Sequence, residues 1–83
     1  MKIQTARAAD GAPLNLIPGT IFDAEDRHRQ RSRYRFERWD PSSGTHRAFK
    51  LWNLTTDTPT EVEAEWFANR KITVIPGEGA TPV

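Results

Sequence analysis

From Arg33 to Glu37 the chain alternates charged and large aromatic side chains without a break, Arg-Tyr-Arg-Phe-Glu. That period of two is the mark of a strand with one face buried and the other wet. Tyr34 and Phe36 define the dry face, Arg33, Arg35 and Glu37 the wet one. Strict alternation would carry Trp39 onto the charged side, so either it lies there beside Arg35 or a bulge near the strand end turns it inward. The same rule applied to "HRAFKLWNL" sets Phe49 and Leu51 on one face and Ala48, Lys50 and Trp52 on the other. In "TEVEAEWF", Val62, Ala64 and Trp66 alternate with Glu61, Glu63 and Glu65, which predicts a further strand with Trp66 in the core. Glu and Ala are also helix formers, which leaves a short helix open there. "KITVI" closes the series.

Proline and glycine break the chain at short intervals, at Asp10-Gly11, Pro18-Gly19, Asp40-Pro41-Ser42-Ser43-Gly44, Asp57-Thr58-Pro59 and Pro76-Gly77. Segments this short argue for an all-β meander. Residues 2–8 and 13–17 flank Asp10-Gly11 as the two arms of a first hairpin, since Asp-Gly supplies the positive φ such a turn needs. "TIF" gives the next strand, and from Asp23 to Arg33 only Ala24 is apolar, which predicts a long polar loop or solvated ribbon with order returning at Tyr34. Asp40 to Gly44 has the composition of a tight turn. The expected architecture is a small SH3-like barrel of five to six short strands, with one helical turn begun at Glu65 before the last strand. An OB-like barrel or an open α+β sheet is the alternative. With 83 residues, one domain over 1–76 and a frayed tail at 77–83 are expected.

Charge changes this picture. The formal net charge is only +1, yet the stretch from Arg27 to Lys50 carries eight basic residues against two acidic ones, and the remainder four against nine. Arg27, Arg29, Arg31, Arg33 and Arg35 occupy every second position and would span about 26 Å if extended. From 27 to 33 the intervening positions are His28, Gln30 and Ser32, so that half has no apolar face to bury. Arginine's planar fork pairs with phosphate oxygens and stacks on bases. Arg38, Arg47 and Lys50 extend the basic set, and Trp39 and Trp52 are candidate stacking platforms of the kind single-strand binders use. Against this stands self-neutralisation: Asp23, Glu25 and Asp26 precede the run, and Glu61, Glu63 and Glu65 offer an acidic strand face of matching period.

Other chemistry is excluded or weak. Without cysteine there are no disulfides, thiol nucleophiles or thiolate metal sites. His28 and His46 lack partners at metal-ligand spacing, and no phosphate-cradling glycine motif precedes a helix, so no catalytic residue, metal or cofactor is assigned. The start of the chain lacks the apolar run of a secretory signal, and no stretch approaches a membrane span, which predicts a cytoplasmic location. The expectation is therefore a non-enzymatic module that associates with DNA, RNA or a protein of a nucleoprotein complex, with no membrane or small-molecule partner. The rival is a protein-interaction adaptor or inhibitor docking through a polarised Trp/Arg/Glu surface. A third possibility is a subunit that oligomerises through its edge strands.

Overall fold

The computed structural model describes residues 4–41 and 47–75. Seven strands and one short helix follow one another as β1 (Gln4–Arg7), β2 (Pro13–Leu16), β3 (Ile21–Glu25), β4 (Arg31–Trp39), β5 (Phe49–Asn53), β6 (Thr58–Val62), α1 (Ala64–Ala68) and β7 (Lys71–Val74). The expected all-β class holds. There are seven strands rather than five to six, five in one sheet and two in the separate sheet of the first hairpin. The tail at 77–83, His46 and all but the first two residues of the turn at Asp40–Gly44 lie outside the described residues.

β1 and β2 pair antiparallel around Asp10-Gly11, as the sequence predicts. Gly11 takes φ +82°, its N–H donates to Ala8 O at 2.9 Å, and Asp10 Oδ1 accepts from Ala12 N at 3.0 Å. A positive φ at this corner strains any residue with a Cβ. The alternation along the hairpin buries Ala6, Ala8, Leu14 and Leu16 on one side.

The other five strands form one antiparallel sheet in the order β6-β5-β4-β3-β7. β3 to β6 run as a meander, and after α1 the chain returns so that β7 pairs with the free side of β3. Among the described residues no pairing joins β6 to β7, so the sheet is open rather than a closed barrel.

The inner face of this sheet carries Phe22, Ala24, Phe36, Phe49, Leu51 and Val62, and the buried side of the β1–β2 hairpin and Phe67 of α1 complete a single core with them. Full burial of an aromatic or branched side chain contributes roughly 1.5–3 kcal/mol, so these few rings hold much of the fold together.

Two expectations are corrected here. The polar stretch from Asp23 to Arg33 is not one long loop: β3 runs to Glu25, β4 begins at Arg31, and only residues 26–30 form the turn. Cross-strand pairing of Asp23 with Arg33, Ala24 with Ser32 and Glu25 with Arg31 extends the ladder without large apolar groups, because opposite charges on facing positions substitute for burial on the wet face. The strand expected over "TEVEAEWF" ends at Val62 and the chain turns into α1. Adjacent Trp66 and Phe67 would point to opposite faces of a strand; on a helical turn both reach the core. Phe67 is fully buried, and Trp66, expected in the core, packs half-buried against its margin. Glu61, Glu63 and Glu65 therefore do not share one strand face.

Candidate nucleic-acid interface

The outer face of the five-stranded sheet is built by the alternation that buries its inner face. β4 presents Arg31, Arg33 and Arg35 there, in register with Glu25, Asp23 and Ile21 of β3. The acids of β3 take up two of these cations. Arg33 Nε lies 2.8 Å from Asp23 Oδ1, with NH2 3.4 Å from Oδ2, and Arg31 Nε lies 3.6 Å from Glu25 Oε1. Arg35 turns along its own strand, its NH2 2.8 Å from Glu37 Oε1, and this hydrogen bond, followed by the charge of Glu37, raises the guanidinium pKa further above its ordinary value. Arg33 and Arg35 are thus neutralised within the chain by Asp23 and Glu37, with Arg31 in a longer contact to Glu25, rather than by the glutamates after β5.

Beyond Phe36 the β4–β5 register shifts, and the bulge at Glu37 sets Arg38 opposite Lys50 and Trp39 opposite Phe49. The bulge anticipated for Trp39 is present and aligns it with an inward-facing partner, although at the sheet margin Trp39 stays 38% exposed. Lys50, a candidate phosphate contact, is only 8% exposed. Its Nζ lies 3.0 Å from Glu61 Oε2 and donates to Arg47 O at 3.2 Å. Trp52 stands half-buried between Arg35 and Pro59, and its indole N–H donates to Asp57 Oδ1 at 3.0 Å. Arg47 is exposed and lines a groove with Glu61, Glu63, Glu65 and Trp66.

The β3–β4 turn is different in kind. Asp26 Oδ1 accepts from the backbone N–H groups of His28 at 2.8 Å and Gln30 at 3.0 Å, and Arg29 adopts φ +63°. The hydrogen bond from Gln30 leads in holding the Asp26 carboxyl below its ordinary pKa; desolvation, the next largest effect, opposes it, and the hydrogen bond from His28 and the charges of His28 and Arg70 assist. Arg27, His28 and Arg29 are exposed on this pinned turn. Among the described residues Arg27, Arg29 and Arg38 make no ion pair. Of the ten candidate residues, the structure gathers Arg27, Arg29 and Arg31 at the hairpin tip and sets Arg38, Trp39, Arg47 and Lys50 towards the other end of β4.

One basic residue near the tip escaped the sequence reading. Arg70 follows α1, its guanidinium carbon 4.4 Å from the ring centroid of Trp66 and its NH1 donating to Trp66 O at 3.2 Å. The signal was the four-residue spacing of Trp66 and Arg70, which brings them together only if the segment is helical. Among the described residues no cluster of His, Asp or Glu is placed to hold a metal ion, and no helix is long and apolar enough to cross a membrane. Comparison of the chain with family models, curated proteins and solved structures finds no match.

Proposed function

We propose that this chain is a non-enzymatic β-sheet module that associates with nucleic acid through the tip of its β3–β4 hairpin. The observation that carries the reading is the division of the arginine run: Arg33 and Arg35 are closely paired in-chain, whereas Arg27 and Arg29 project from a turn fixed by Asp26 and have no ion pair among the described residues. Arg31 joins them, its side chain 64% exposed and its contact with Glu25 long. Arg38, opposite Lys50 on the outer face, adds a third cation without an ion pair among the described residues. The fixed turn spares the cost of ordering its backbone, and phosphate contacts carry no base sequence, so the binding is sequence-tolerant. A five-stranded sheet whose last strand returns, after a helical turn, to pair with the first strand of its meander has the connectivity of an SH3-like small barrel, and we assign the sheet to that class on this ground.

Fluorescence anisotropy with labelled single- and double-stranded oligonucleotides at two salt concentrations tests the reading. Affinity should fall as salt rises, with a slope of about −0.9 per duplex phosphate neutralised. No binding at low salt, or binding insensitive to salt, refutes it.

Trp39 favours a second reading, docking onto a protein partner, because an exposed tryptophan beside an unpaired arginine has the make-up of an interface hot spot. Capture of a partner by the intact chain and its loss in Trp39→Ala, with oligonucleotide affinity unchanged, would favour that reading.

A further inference from the structure

Beside the hairpin tip is a cleft lined by Asp26, Arg27 and His28 on one wall and by Ala68, Asn69 and Arg70 on the other. Both walls are fixed. Asp26 pins the first through two backbone hydrogen bonds. The second is tied to the β1–β2 hairpin by Ala9 N, which donates to Arg70 O at 2.9 Å, and Asn69 Nδ2 donates to Glu65 O at 3.0 Å.

Arg70 is the unusual member. It is half-buried, stacked on Trp66 and hydrogen-bonded through NH1 to Trp66 O, yet it makes no ion pair among the described residues. A partly buried cation is ordinarily matched by an anion; here Asp26 across the cleft feels the Arg70 charge without forming an ion pair, and the guanidinium is ordered in advance by Trp66. Arg27 supplies a second unpaired guanidinium from the facing wall, and the His28 ring and the second amide hydrogen of Asn69 add donors. The one acid in the lining is Asp26, whose Oδ1 is already committed to the turn, so the two arginines outweigh it.

We propose that this cleft binds a phosphoryl group, whose tetrahedral oxygens and higher charge can engage the two guanidiniums and the donors of both walls at once. The proposal shares Arg27 with the nucleic-acid reading but does not rest on it, since Arg70 and Asn69 stand outside the arginine run.

The experiment is a titration of the isotope-labelled chain with inorganic phosphate at constant ionic strength, followed by backbone NMR. The result expected is a set of saturable shifts centred on Arg27, His28, Asn69 and Arg70. Arg70→Gln should weaken the affinity about tenfold, the loss of a charge-assisted hydrogen bond, while Arg29→Gln leaves it unchanged. Arg27→Gln serves the same purpose if Arg70→Gln does not fold. A 5′-phosphorylated and a 5′-hydroxyl oligonucleotide of one sequence separate the sources. Preference for the phosphorylated strand, erased by Arg70→Gln, makes the ligand a nucleic-acid terminus; equal binding of the two strands with saturable inorganic phosphate makes it a free phosphoryl compound. Shifts that never saturate, or that survive both substitutions, overturn the cleft, and do so even where the anisotropy assay shows salt-dependent oligonucleotide binding.

Discussion

Arg33 and Asp23 face each other in register across β4 and β3, Nε to Oδ1 2.8 Å. Two pairing positions along, Glu25 meets Arg31 at the longer distance of 3.6 Å. The alternation of arginines in β4 is therefore answered by an alternation of acids in β3, and a run that looks basic in one dimension is close to neutral on the sheet. The arginines of this stretch without an ion pair among the described residues lie where β3 has no residue to offer, Arg27 and Arg29 at the turn and Arg38 past the other end of the β3 ladder.

It follows that the arginines differ in what their loss does. Arg27→Ala and Arg29→Ala should each weaken oligonucleotide binding and reduce the salt slope by about one phosphate contact. Arg33→Ala should leave the affinity nearly unchanged and cost ~0–1 kcal/mol of stability, the range of exposed pairs. Anisotropy titrations beside urea melts measure both; an Arg33 variant that loses as much affinity as the Arg29 variant contradicts the division.

Lys50 gives a second separation. Its side chain is 10% exposed and rests against Glu61, so it cannot approach a phosphate without abandoning that pair. Lys50→Met should keep nucleic-acid affinity and change stability by less than about 1 kcal/mol, since an apolar side chain of similar length suits a site that is already mostly dry. Glu61→Gln should be the more harmful change, about 1–2 kcal/mol, because it leaves the ammonium covered without a counter-charge. Denaturation midpoints of the two variants decide the order.

The legible part of the fold was the part written in apolar alternation. Tyr34, Phe36, Phe49 and Leu51 fixed the two central strands, and Asp10-Gly11 fixed the first turn, because burial and positive φ are local demands. The extension of β3 and β4 past Phe22 was hidden, since it depends on acids and arginines meeting across strands, a pairing that one stretch of sequence does not display. α1 was legible in part: the helical turn expected from Glu65 before the last strand is present as Ala64–Ala68, but Glu61 to Trp66 also satisfies a period of two, which masked where the strand ends. What went unread was Arg70, whose place over Trp66 exists only in the helical conformation.

The hairpin tip should respond to acid. Folding lowers the Asp26 pKa, so the stabilisation its carboxylate gives the turn is complete above the ordinary aspartate value of 3.8 and is lost as pH falls through the lower folded-state value. Amide shifts and hydrogen exchange of His28 and Gln30 should therefore move together below about pH 4, before the global unfolding of the sheet. Asp26→Asn keeps an oxygen acceptor but has no proton to gain, and should flatten that pH dependence. A tip that titrates identically in both chains removes Asp26 as its clasp.

Phe67 sits where the two sheets and the helix meet, its ring centroid 5.2 Å from Phe49, 5.8 Å from Phe22 and 5.0 Å from Trp66. Truncation to alanine removes a fully buried ring and leaves a cavity bounded by rigid aromatics that cannot collapse into it. The expected cost is about 3–5 kcal/mol. Against a total stability of roughly 5–15 kcal/mol for a domain, that loss unfolds a large share of the molecules at modest urea. Trp66→Leu keeps an apolar group at the margin of the core and removes the platform under Arg70. It should leave the fold intact while weakening phosphate binding in the cleft. Urea melts followed by circular dichroism, run beside the phosphate titration, separate these outcomes: Phe67→Ala loses the fold, Trp66→Leu loses the ligand, and a Trp66 variant with undiminished phosphate affinity would show that Arg70 needs no stacking to hold its place.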